Sequence, residues 1–301
     1  MTYHSLVRGI FTLVAIFAIP SAAVKAGQEN PDPPGGGPGS KASYHLFHPT
    51  PSALMRDMST DRPDQTESPY TVDAGHFQIE CDLVNATFHR ERTSFTDMRT
   101  TDWAVLPINV KVGILNDLDL QILFDPYIHS TTRDHLADTR QRHSGTGELS
   151  TRLKLNVWGN DGGKTALALM PFLKFPLSRT AIRNGETEGG LIVPLAVDLS
   201  RGWGMGLMAE IDFVRNEADD GYDTDYVQSL TFSRDLSERI GGYVELFSVV
   251  SSVSGSDWHG QADGGLTYGL NANTQLDLGC NFGLTDSAPD LNPFVGLSLR
   301  F

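Results

Sequence analysis

The last nine residues, Pro293 to Phe301, constrain the fold of this chain more than any other stretch. They read P-F-V-G-L-S-L-R-F, with Val295, Leu297, Leu299 and Phe301 alternating against Phe294, Gly296, Ser298 and Arg300. A period of two with one apolar face is the pattern of a half-buried strand. At the end of a chain such a strand leaves an unpaired edge, which in water invites aggregation. The cheapest cover is the first strand of the same sheet, and that pairing makes the sheet a closed barrel.

The chain has 301 residues and an ordinary apolar content of 40%. It contains no run of about eighteen apolar residues, so no transmembrane helix is expected. A membrane barrel would look the same, because only alternate strand residues need be apolar. Topology therefore has to separate a soluble β-protein from a membrane barrel.

The N-terminus reads as an export signal over residues 1–26. His4 and Arg8 lie in a short polar start, Ile10 to Ile19 is apolar, and Val24-Lys25-Ala26 offers small residues for cleavage. Its removal takes away Arg8 and Lys25 but no acid, leaving a chain more acidic than the −14 of the full sequence. That balance disfavours nucleic acid as a partner. Cys81 and Cys280 both fall on the outward phase of strands two apart, too far for a disulfide, and read as small apolar side chains.

Residues 27–58 read as a flexible periplasmic extension, on the strength of N-P-D-P-P-G-G-G-P-G-S from Asn30 to Ser40, which builds no core. Then comes S-T-D-R-P-D-Q-T-E-S-P-Y-T-V-D-A-G-H-F-Q-I-E, residues 59–80. Asp61, Arg62, Pro63, Asp64, Thr66, Glu67, Ser68 and Pro69, followed by Gly75, His76, Gln78 and Glu80, resemble the opening of a family of Gram-negative outer-membrane proteins. That family is named for the meta-cleavage pathway of phenol degradation. The terminal G-L-S-L-R-F resembles the family's last strand as well. The resemblance covers roughly 59–301 and implies a barrel that passes small, often aromatic or apolar, compounds. It supplies no substrate-contacting residues. A terminal strand ending in Phe also resembles the signal that the barrel-assembly machinery recognises, which makes that machinery an expected partner of Pro293 to Phe301.

From residue 77 onward the chain falls into about twelve alternating runs of membrane-strand length. They are Phe77–Phe88, Trp103–Ile114, Leu118–Ile128, Leu149–Trp158, Thr165–Phe175 and Leu191–Leu199. Met205–Val214, Tyr226–Arg234, Ile240–Val250, Gln261–Leu270, Gln275–Leu284 and the terminal strand follow. The phase slips near Val84, where a bulge is expected. Short connections near 116, 161, 202, 237 and 272 alternate with long polar ones at 89–101, 129–145, 176–189, 215–224, 251–260 and 285–292. Alternation of short turns and long loops is the rhythm of an outer-membrane barrel, with turns in the periplasm. The expected fold is thus all-β, a transmembrane antiparallel up-and-down barrel of about twelve strands spanning 77–301 in outer-membrane lipid.

One phase of each strand is rich in Leu, Val, Ile and Phe and should face lipid; Trp158 falls on the other by count. The inward phase carries Glu80, Asp82, Glu210, Asp212 and Glu245 among its acids, with Lys111, Arg152, Lys154 and Lys174 among its bases. These either bias a pore toward cations and neutral solutes or pair across strands and solvate the wall. Met170, Phe172 and Ile192, with Ala166, Ala168, Pro194 and Ala196, make one inward sector apolar. Three readings stand: a stripe for a hydrophobic solute, a seat for an inward-folded segment, or plain interior packing. Residues 59–76, with Asp61, Arg62, Asp64 and Glu67, suit a plug or gate whose charges pair with Lys154 or Arg152.

No nucleophile–base pair, phosphate-cradling loop or paired-Cys zinc site stands out, and the histidines His129, His135 and His143 are irregularly spaced. No catalytic residue, metal or cofactor is assigned. The expected activity is passive diffusion of small solutes, apolar or aromatic ones included. The alternative is a non-conducting barrel with a structural or adhesive role.

Overall fold

Hydrogen-bonded pairing runs from the first strand round to the last and back to the first. The structure, a computed structural model, describes residues 41–176, 186–216 and 221–301. The expected signal peptide and residues 27–40 lie outside the described residues, as do parts of the loops near 180 and 218.

The strands are β1 (Phe77–Arg92), β2 (Asp97–Val105), β3 (Ile108–Leu115), β4 (Leu118–Phe124) and β5 (Tyr127–Asp134). Next come β6 (Thr139–Gly145), β7 (Leu149–Trp158), β8 (Thr165–Phe175), β9 (Glu188–Asp198) and β10 (Trp203–Arg215). The last five are β11 (Tyr222–Asp235), β12 (Ile240–Ser251), β13 (His259–Asn271), β14 (Thr274–Gly283) and β15 (Leu291–Arg300). All belong to one antiparallel sheet, in which β15 also pairs with β1. Twelve strands close the ring: β1, β3, β4 and β7 to β15. At the seam Phe301 N donates to Phe77 O at 2.8 Å and Phe77 N to Phe301 O at 3.2 Å. The terminal edge is therefore covered, as its alternating sequence requires.

Every wall strand turns its apolar phase outward. Leu153, Leu155, Val244, Leu246, Leu278 and Val295 are exposed, while their sequence neighbours Arg152, Lys154, Glu245 and Asp277 are buried. A continuous apolar belt around a polar interior suits hydrocarbon outside and polar contacts within, so this is a membrane-spanning barrel. The bulge expected near Val84 is present as a register shift between Asp82 and Val84. Cys81 and Cys280 are free.

Three details differ from the sequence reading. The expected loops 89–101 and 129–145 are largely strand: β1 runs on to Arg92, and β2, β5 and β6 pair with it in turn as a four-stranded extension above the ring. Their polar composition hid them, because strands above the bilayer have no lipid-facing phase to keep apolar. The runs expected as Trp103–Ile114 and Leu118–Ile128 are each broken. Leu106 adopts φ 56 before Pro107, and Asp125-Pro126 interrupts the second; proline lacks the N–H a ladder needs. Trp158, on the inward phase by count, is exposed outside, because a register shift between Asn156 and Trp158 reverses its side.

Residues 41–58, grouped above with a flexible extension, make defined contacts at the barrel end that carries the short turns. Leu46 N donates to Ile114 O at 2.9 Å, and Lys41 and Arg56 pair with Asp161 at 2.8 and 3.0 Å. Two 3-10 turns, Lys41–Ser43 and Ser52–Leu54, lie within this stretch.

Candidate functional site

Residues 59–74 lie inside the lumen. Nothing in D-R-P-D-Q-T-E-S-P favours helix or strand, and Pro63 and Pro69 break both. Such a segment cannot bury a core of its own, so its backbone polar groups need partners from elsewhere. The barrel wall supplies them. Residues 60–69 and 71–74 are all buried. The loop also closes on itself, through Ser59 Oγ and Ser68 Oγ at 2.8 Å and Ser68 N donating to Asp61 Oδ1 at 3.0 Å. Gly75, at φ 77, then turns the chain into β1.

Asp61 is the electrostatic centre. Its carboxylate pairs with Lys154 Nζ at 2.7 Å and with Lys111, which also pairs with Glu80. Its backbone N–H donates to Glu80 Oε2 at 3.0 Å. Burial alone would push the Asp61 carboxyl up; Lys111 and Lys154 overcome it and hold the group at about 2. Glu67 pairs with Arg152, yet burial, with the Asp61 charge adding to it, outweighs that pairing and carries Glu67 up to about 7.

Arg62 occupies a slot cut into three adjacent strands. Gly296 on β15 stands in register with Asp82 on β1 and with Asp277 on β14. The guanidinium lies over Gly296, pairs with Asp82, and donates to Asp277 Oδ1 at 2.8 Å and Oδ2 at 3.3 Å. It sits 5.4 Å from the centre of the Phe294 ring. Farther on, Gln65 N donates to Glu245 Oε2 at 2.7 Å, and Thr66 Oγ1 meets Ser229, Thr231 and Glu245. Asn156 Nδ2 donates to Pro69 O at 2.8 Å, and Val72 N donates to Asp119 Oδ2 at 3.0 Å. Asp64 is buried with the rest.

The structure thus brings Glu80, Asp82, Lys111, Arg152, Lys154 and Glu245 to one place, around residues 61–67. Lys174, Glu210 and Asp212 lie higher, toward the long loops, with Lys174 Nζ 3.8 Å from Asp212. Met170, Phe172 and Ile192 form a separate facet with Met208 and Val227, against which Phe247 and Val249 pack. The segment's polar contacts named here run to β1, β3, β4, β7 and β10 to β14. Among them Gln65 Nε2 donates to Gln261 and Asp263 on β13, and Glu67 N donates to Met208 Sδ at 3.4 Å, at the edge of this facet. Those contacts do not reach β8 or β9, which carry most of it. Gly296, Phe294, Asn156, Thr231 and Gln121, whose Nε2 donates to Asp61 Oδ2 at 3.3 Å, were missed as partners. A glycine or a neutral amide in a strand carries no sequence mark of what it touches.

A family described as "Putative MetA-pathway of phenol degradation" matches residues 60–301. The chain belongs to that family. The match begins inside the lumenal segment and runs through the terminal strand, so it includes both Arg62 and Gly296. No curated protein matches the chain. Among solved structures, the chain is similar to an outer membrane channel from Pseudomonas putida F1, at 14% identity and TM-score 0.49, with 75% of this chain and 94% of that one covered. It is also similar to the NanC porin, at 10% identity and TM-score 0.48, covering 73% and 100%. The β domain of the Bordetella autotransporter BrkA gives 14% identity and TM-score 0.48, covering 75% and 99%.

Proposed function

We propose that the protein is a channel of the Gram-negative outer membrane that passes small molecules passively, hydrophobic or aromatic compounds among them. Residues 59–74 are its gate, and the described conformation is the closed one. One observation carries this reading: a membrane barrel with a charged lumen holds its own N-terminal segment inside by ion pairs and hydrogen bonds rather than by a hydrophobic core. Polar contacts of this kind exchange with water at modest net cost, so a segment held by them can leave. An apolar interface facing water could not.

The facet of Met170, Phe172, Ile192, Met208 and Val227 supports an apolar solute. It is the sector where a molecule with few hydrogen-bonding groups leaves no buried polar partner unsatisfied. The phenol-degradation family points to solutes of the same kind. Pro293 to Phe301 would present the terminal strand to the assembly machinery.

The filled lumen also favours a second reading, a non-conducting barrel with a structural or adhesive role. Purified protein in planar bilayers and in liposomes loaded against phenol, an alkane or a sugar separates the two. Conductance that rises when residues 59–70 are deleted, with phenol uptake exceeding sugar uptake, is expected. Silence from both wild type and deletion overturns the channel.

A further inference from the structure

The extension above the ring carries a row of arginines for which ion pairs within the chain account only in part. Arg90 on β1 is in register with Arg99 on β2, Arg99 with Arg133 on β5, and Arg133 with Arg140 on β6. Direct cross-strand partners point to the same face, and all four are exposed. Arg142, also exposed, lies two residues along β6 on that face. The face is the outer one: below the row on the same phase stand Phe88, Trp103, Val105 and Tyr127. Phe88 and Trp103 are packed edge to face at 6.4 Å. Phe88, Trp103 and Tyr127 make the aromatic border of the lipid belt here. Four residues of strand, roughly 13 Å, separate Trp103 from Arg99.

Like charges placed directly opposite one another across strands destabilise a sheet. The chain relieves only part of this. Arg90 donates to both oxygens of Asp97 at 3.0 Å, and Arg133 lies 3.6 Å from Asp138. Among the described residues Arg99, Arg140 and Arg142 form no ion pair. Guarding an open edge explains charge on β6, the last strand of the extension, but not Arg99 and Arg133 in its middle. A cationic row in a chain of net charge −14, just above the aromatic border, is complementary to a layer of phosphate.

We propose that this face docks the phosphate-bearing headgroup of an outer-leaflet glycolipid, the lipid A portion of lipopolysaccharide. The docking would fix the extension upright over the bilayer. It rests on the placement in the outer membrane proposed above, with the long loops outside.

The test uses the full mature chain refolded in detergent without lipopolysaccharide, then titrated with lipid A, lipid A stripped of its phosphates, or inorganic phosphate. A variant combining Arg99→Gln, Arg133→Gln, Arg140→Gln and Arg142→Gln is compared with wild type, both checked for folding by heat-modifiable gel mobility. Lipid A should bind wild type at least tenfold more tightly than the variant, the stripped lipid should bind neither, and rising salt should weaken the difference. Equal binding by wild type and variant, or equal binding of stripped lipid, overturns the proposal. Displacement of lipid A by millimolar inorganic phosphate also overturns it, since the site would then serve a free anion. Membrane fractionation is scored separately. Protein absent from the outer membrane refutes the location, whereas protein present there with unchanged lipid A binding in the variant refutes only the docking face.

Discussion

Arg62 lies against Gly296 so closely that a Cβ on that glycine would occupy the place of the guanidinium. The glycine is the floor of the slot and Asp82 and Asp277 are its walls. Gly296→Val should therefore expel Arg62 and leave two buried carboxylates without their cation, a loss on the order of 3–5 kcal/mol for a broken buried pair. Single-channel recording should show a higher open probability, and Arg62→Ala should match it. A wild-type trace from Gly296→Val would show that the slot does not hold the segment.

Asp61 and Lys154 should be energetically coupled. In a cycle of Asp61→Asn, Lys154→Met and the pair, the interaction energy should come out at about 1–3 kcal/mol, because the two groups touch inside one network. Hydrogen exchange at residues 60–74 reads it. Additive losses of protection would place the stabilisation elsewhere.

Acidity should act on the segment from both sides. Asp61 is held below its ordinary 3.8, so its contribution is complete above that pH and is lost as the pH falls toward about 2. Glu67 is raised from 4.5 to about 7, so its contribution is complete below 4.5 and is lost as the pH rises through 7. Protection of residues 60–74 should peak near pH 4 to 4.5 and fall on either side. Asp61→Asn should shrink the acid limb and Glu67→Gln the alkaline one. A profile that is flat from pH 5 to 8 would count against Glu67.

A covalent lock is available between Thr66 and Ser229, whose hydroxyl oxygens are 2.5 Å apart. Thr66→Cys with Ser229→Cys should oxidise, abolish conductance, and recover it with reductant. The native cysteines face outward and are free, so they do not compete. Conductance unaffected by oxidation would mean that solute passes without the segment moving.

The apolar facet makes a separate prediction. Ile192→Asp, placing a charge among Met170, Phe172 and Met208, should lower phenol uptake by roughly tenfold, about 1.4 kcal/mol, and leave sugar uptake unchanged. An equal drop for both solutes would indicate a folding defect rather than a lost binding surface.

The ring was legible in the sequence because hydrocarbon imposes its rule on alternate residues of every strand, and short turns at one end leave a rhythm in the spacing. The bulge near Val84 and the outward cysteines followed from that same rule. Above the bilayer the rule lapses, which is why β2, β5 and β6 looked like loops until their pairing was seen. The charges of Asp61 and Glu67 were visible, and so were Lys154 and Arg152, because ionisable groups on an inward phase need partners. Which partner each would find depended on a path taken by a segment with no periodicity of its own. Gly296 shows the limit most sharply: in the sequence it is a small residue in a strand, and only the closure that sets β15 between β1 and β14 turns it into the floor beneath Arg62. Local chemistry determined the faces, and the closed ring, bringing residues more than two hundred positions apart into contact, decided the site.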